Sequence, residues 1–151
     1  LQRVLREERG LVYSVECRAT SMSDLGTMDF DVTVRPEKVV EVTRILLKEI
    51  TTFAKEGPTE SELAHIKKRY FFDLDSELDD PYKQVVRYAF PHLYSSEMSL
   101  QEERELIESI TAKKMLEVAE KVFEAKNLNL ILVGPYTSEL KSRLEGLIHQ
   151  F

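Results

Sequence analysis

From residue 27 to residue 34 the side chains alternate without a break. Met28, Phe30, Val32 and Val34 fall on one side, and Thr27, Asp29, Asp31 and Thr33 on the other. A period of two with one wet face predicts an antiparallel strand. Pro36 then opens a helix at its first turn, and the period changes. Val39, Val42, Leu46, Ile50 and Phe53 form a helical apolar stripe. A strand dry on one face, followed at once by an amphipathic helix, restricts the chain to a layered fold with helices covering a sheet.

The segments on either side fit that frame. Residues 1–9 carry Leu1, Val4 and Leu5 at helical spacing, and Gly10 is placed as a left-handed helix stop. A strand is predicted over about 11–19, with Leu11, Tyr13, Val15, Cys17 and Ala19 on one face and Val12, Ser14, Glu16 and Arg18 on the other. Residues 21–26 make the loop of a hairpin. Gly57-Pro58 stops the first long helix, and Thr59 with Glu62 forms a capping box for the next. That second helix carries the stripe Leu63, Ile66, Tyr70, Leu74 and Leu78. Asp80-Pro81 starts a third helix ending near Pro91. Ser99 with Glu102 caps a fourth, and Thr111 caps a fifth. Residues 128–133 are almost continuously apolar, which predicts a central strand buried on both faces. A last helix runs to about His149.

The fold class is therefore α+β: two layers, with a mainly antiparallel sheet covered by helices in a single domain over residues 1–151. Three strands make an undersized sheet. The first residue is not Met, and no N-cap precedes Leu1. The expectation is a chain that starts inside a helix and lacks its first strand or strands. A sheet left open in this way has an exposed edge, so a homodimer or another chain paired at that edge is expected.

Composition narrows the function classes. With 42% hydrophobic and 32% charged residues, the chain has enough apolar surface for a core. A formal charge of -6 argues against binding nucleic acid, which needs a basic face. No apolar run approaches the roughly 18 residues of a membrane span. The single Cys17 excludes an internal disulfide and favours a reducing, cytoplasmic compartment over a secreted one. The acidic series Asp73, Asp75, Glu77, Asp79 and Asp80 reads as a solvated helix end rather than a metal site. Cys17 reads as a packed thiol, Tyr70-Phe71-Phe72 as core, and Tyr94 and Met98 as loop residues without a role.

Several segments together resemble the insulinase/pitrilysin family of zinc peptidases. Leu5-Arg6-Glu7 with Gly10-Leu11 and Tyr13 is similar to the helix-to-strand junction of that family's second domain. Residues 56–63, Ile110-Thr111 and residues 130–135 are similar to its interhelical linker and to the end of its domain. Each segment alone is a weak signal; their order and spacing are more specific. The resemblance implies the fold of the mitochondrial processing peptidase, and a role for Arg6 and Tyr13 in binding substrate. An arginine and a tyrosine suit hydrogen bonding to a peptide carbonyl that gains charge during hydrolysis. Packing offers a plainer reading for each: a cation favoured at a helix C-terminus for Arg6, and a core-edge side chain for Tyr13.

The family's zinc site is an H-x-x-E-H motif with a distal glutamate. His65, His92 and His149 have no such neighbours, so no catalytic and no metal-binding residues are predicted in this chain. The resemblance implies zinc in the parent enzyme, bound by another domain. The implied partners are a peptide substrate and an N-terminal zinc-bearing domain or subunit. The implied function is substrate clamping in a zinc-dependent endopeptidase, with the chain inert alone. A non-catalytic partner or core subunit of a heteromeric complex in the same family stays open, as does an unrelated α+β domain.

Overall fold

In the computed structural model, which describes residues 1–22, 24–93 and 97–151, the chain forms two units. Unit 1 comprises residues 1–56 and 117–151, and unit 2 comprises residues 57–116. Tyr94, and Ser23 of the hairpin loop, lie outside the described residues.

Unit 1 is built on a hairpin. Strand β1 (Val12–Ser21) pairs antiparallel with β2 (Gly26–Val34), from Val12 opposite Val34 to Ser21 opposite Gly26. On the wet face Arg18 is paired with Asp31, diagonal to the Asp29 that it opposes in register. On the dry face Phe30 meets Phe123, with ring centroids 6.1 Å apart, and Phe53 meets the same ring edge-on at 6.5 Å. Pro36 sets one turn of 3-10 helix that leads into α1 (Val39–Glu56), as its fixed φ favours.

Two faces of α1 are used in unit 1. Val42 packs with Leu5 and Val12, and Val39 and Val40 pack with Leu144 of α6 (Ser138–Ile148). Val34 touches both clusters. The Thr137 hydroxyl accepts from the Leu140 amide, which caps the start of α6.

Unit 2 is helical. It holds α2 (Glu60–Glu77), α3 (Pro81–Leu93), α4 (Leu100–Ser109) and the start of α5 (Ala112–Val122). Both predicted capping boxes are made. The Thr59 and Ser99 hydroxyls accept from the amides of Glu62 and Glu102, whose carboxylates bond back to the two cap amides at 2.9 and 2.8 Å. Such a cap contributes about 1 kcal/mol. Gly57 stops α1 at φ +68, where a Cβ would stand 3.4 Å from the Cβ of Leu116. Thr111 accepts from the Lys114 amide, and Asp80 from those of Tyr82 and Lys83, so α5 and α3 are also capped by side chains.

Polar bracing does much of the work in unit 2. Glu103 of α4 accepts from the Tyr70 hydroxyl of α2 and from Arg87 of α3. Arg104 pairs with Asp75 while its guanidinium lies 5.6 Å above the Phe71 ring. Burial, then the bond to Glu103, pushes the Tyr70 phenol up to about 12, so it remains a donor. Burial alone would raise the Glu103 carboxyl, but Arg87 and then Tyr70 hold it below its ordinary value.

Three expectations are corrected. Residues 128–133 are not in a strand: among the described residues the sheet has two strands, and no third lies beside this run to complete a ladder. Ile131 is 84% exposed and Val133 92% exposed. Apolar sequence creates the demand for burial but cannot supply the neighbour. The stripe on α2 is only partly covered: Leu63 and Leu74 are buried, while Ile66, Tyr70 and Leu78 are exposed, and Phe72, read as core, is exposed too. Cys17 is exposed rather than packed, and local desolvation still pushes its thiol up, away from the reactive thiolate.

The brace at Glu103 carries a pH signature. Its folded value is depressed, so its stabilisation is complete above the unfolded carboxylate value of about 4.3 and is lost as pH falls through the folded value. Glu103→Gln is expected to cost about 1–2 kcal/mol near neutrality. The gap between variant and wild type should shrink below about pH 4. Urea unfolding followed by circular dichroism across that range checks this, and a gap unchanged by acid would reject it.

Candidate functional site

The segment that carries Arg6 and Tyr13 departs from regular backbone twice. Residues Gln2–Glu7 form a π turn, marked by the Glu8 amide bonding to the Arg3 carbonyl at 2.9 Å. The turn closes with a nested pair of bonds, Gly10 N to Arg6 O at 3.1 Å and Leu11 N to Leu5 O at 2.9 Å. This is the Schellman pattern opened by one residue, as the wider turn requires, and Gly10 takes the left-handed position at φ +57. Arg6 stands exposed in the last turn of this π segment, where the helix dipole favours a cation.

The second departure is a β-bulge. Val12 pairs with Val34 and Ser14 with the adjacent Thr33, so Tyr13 is an extra residue with no partner across the ladder. Strict alternation was predicted to place Tyr13 with Val15 and Cys17, and Val12 on the opposite face. The bulge corrects that: Val12 is 7% exposed and joins Val15 in the same apolar cluster, while Tyr13 is turned out at 83% exposure. Two apolar residues three apart in a strand, Val12 and Val15, are the sequence signal that would have revealed it.

The outcome is a pair of hydrogen-bonding groups on show. Among the described residues, no hydrogen bond or ion pair engages the Arg6 guanidinium or the Tyr13 hydroxyl, and nothing joins the two directly. Arg3, three residues from Arg6, is by contrast paired with Glu8 at 3.3 Å. Bulges and π turns both re-aim side chains at functional sites, and here one of each flanks the two candidates.

The histidines do not fit a zinc site. His65 is exposed on α2, His92 Nδ1 lies 2.6 Å from Glu97, and His149 ends α6. Among the described residues no three His, Cys, Asp or Glu side chains gather to hold a metal. The acidic series on α2 is divided among separate tasks. Asp73 faces Arg69, Asp75 pairs with Arg104, Glu77 pairs with Lys83, and Asp80 caps α3. A shallow groove in unit 2 is lined by Leu63, Lys67, Phe71 and Ile110, and Lys67 is already bonded to the Glu108 carbonyl at 2.7 Å. No described helix is long and apolar enough to cross a membrane.

Comparison with known proteins gives a consistent result. The family model described as the peptidase M16 inactive domain matches residues 1–70, which include the whole junction. An uncharacterized zinc protease of Mycobacterium bovis is 26% identical over 147 residues, covering 95% of this chain and 33% of the relative. One from Streptomyces coelicolor is 26% identical over 145 residues, covering 95% of this chain and 31% of the relative. The chain thus spans about a third of the length of these curated relatives. The crystal structure of a peptidase M16 inactive domain from Pseudomonas fluorescens matches with a TM-score of 0.71 at 21% identity, covering 81% of this chain and 29% of that one. Family model, relatives and fold together support a C-terminal-type domain of the insulinase/pitrilysin (M16) peptidase family.

Proposed function

We propose that this domain holds the peptide substrate of a zinc endopeptidase whose metal site is carried by a different domain or subunit. One observation carries the reading: Arg6 and Tyr13 are exposed donors with no partner among the described residues, each presented by a local departure from regular backbone. A guanidinium offers five N–H groups and a phenol one O–H, with no need to rearrange internal bonds first. Directed at a carbonyl oxygen, both strengthen as that oxygen gains negative charge on the way to the tetrahedral intermediate. One such donor supplies roughly 3 kcal/mol, about a hundredfold in rate. Donors of this kind read main chain rather than side chains, so the fitting substrate class is an extended peptide with modest sequence preference.

The chain's own part is to bind and orient the substrate, with zinc and the group that activates water supplied from elsewhere. The chain alone is therefore expected to be inert; zinc-dependent peptide hydrolysis by the isolated chain would refute the assignment. In an assembly with its zinc-bearing counterpart, Arg6→Ala and Tyr13→Phe are each expected to lower kcat by about a hundredfold without preventing assembly. Turnover unchanged in both variants would remove the basis of the proposal.

The isolated chain is also expected to pair with a second copy through an open sheet edge, because unpaired backbone at an edge recruits another strand. Sedimentation velocity over a range of concentrations tests this. A single monomeric species throughout would show that the edge is not an interface.

A further inference from the structure

Arg6 and Tyr13 are seven residues apart, and so are the residues just before them, Leu5 and Val12. Both of those are buried: Leu5 is 0% exposed and Val12 is 7% exposed. They meet in one cluster with Val42 of α1, which is 3% exposed. Each donor is thus chained directly to a side chain fixed in the core. The backbone between the anchors is tied by the two bonds at Gly10 and Leu11 and runs through the left-handed turn at Gly10. Within an element, neighbouring Cβ directions are set by the same backbone, so any backbone rotation that turns Leu5 or Val12 in its seat re-aims the Cα–Cβ bond of the adjacent donor as well.

The two backbone departures fit this arrangement. The π turn and the bulge each accommodate one residue beyond regular geometry, and each leaves the anchor facing in and the donor facing out. We infer that Leu5, Val12 and Val42 are positioning residues, a pin of packed side chains that fixes where the Arg6 guanidinium and the Tyr13 hydroxyl are presented. Val42 touches no substrate in this account and acts only through Leu5 and Val12. The effect on peptide binding rests on the function proposed above; the effect on the order of the two donors does not.

The fold supplies its own control. Val40 lies on the same helix and is as buried as Val12, at 7%, but it packs in the other cluster with Val39 and Leu144. Val42→Ala and Val40→Ala remove the same atoms from one helix, so their general effect on stability should be similar. The two variants of the 151-residue chain can be compared by NMR and by titration with a blocked, unstructured Ala- and Gly-rich peptide.

For Val42→Ala the expected results are broadened Arg6 Nε–H and Tyr13 ring signals. Exchange of the Leu11 amide should be faster by about tenfold, and the peptide Kd raised by at least about threefold. Val40→Ala should leave all three unchanged, and Val42→Ile should keep the donor signals sharp. Equal effects of the two alanine variants, or no effect of Val42→Ala on the donors, would overturn the inference. If Val42→Ala does not fold, Leu5→Met serves in its place, because it keeps volume while loosening the seat. Unchanged donor signals in that variant would equally overturn it. A wild-type chain that fails to bind the peptide counts against the proposed function, and the donor signals still decide whether the pin exists.

Discussion

The seating of Leu5 against Val12 and Val42 is the contact on which the rest of unit 1 depends. Among the described residues Leu5 is the one large side chain sealed completely from solvent. It joins three pieces of chain that are otherwise separate: the π turn, the first strand and the first long helix. Burying a leucine of this kind stabilises by roughly 1.5–3 kcal/mol, far more than any exposed ion pair in the molecule. The irregular backbone around it follows. Leu5 and Val12 can both face inward only if the turn between them is reversed by a left-handed glycine and the strand takes an extra residue at Tyr13.

Unit 2 rests on a different balance. Few of its apolar side chains are buried, and Tyr82, Val85 and Phe90 of α3 are largely exposed. The face that α3 turns inward mixes Val86 with polar groups: Gln84 donates to the Glu77 carbonyl at 2.8 Å, and Arg87 reaches Glu103. Helix caps and charge-assisted hydrogen bonds therefore carry much of what holds such a unit in register.

Features governed by neighbours in sequence were legible from the sequence. Gly10, the two capping boxes, Thr111, the Asp80-Pro81 start and Pro36 all depend on a few adjacent residues, and each appears where it was read. What was not legible depends on distant chain. The bulge exists because Val12 and Val15 must both reach a cluster completed by Val42, and residues 128–133 stay unpaired because no described strand lies beside them. Arg6 and Tyr13 were visible as residue types at a spacing. Their free presentation was not, because it comes from the backbone and from the absence of local partners.

The unpaired run also governs how the chain behaves in solution. Between Asn127 and Ser138 there is no charged side chain, and a proline appears only after Val133. Natural edge strands are guarded by lysines, prolines or bulges, and this run has none of these within it. Attraction between such surfaces is hydrophobic and weakens on cooling. A concentrated solution of the isolated chain should therefore cloud on gentle warming and clear again in the cold. Sulfate should bring the clouding to lower temperature, and a single lysine in place of Ile131 should suppress it.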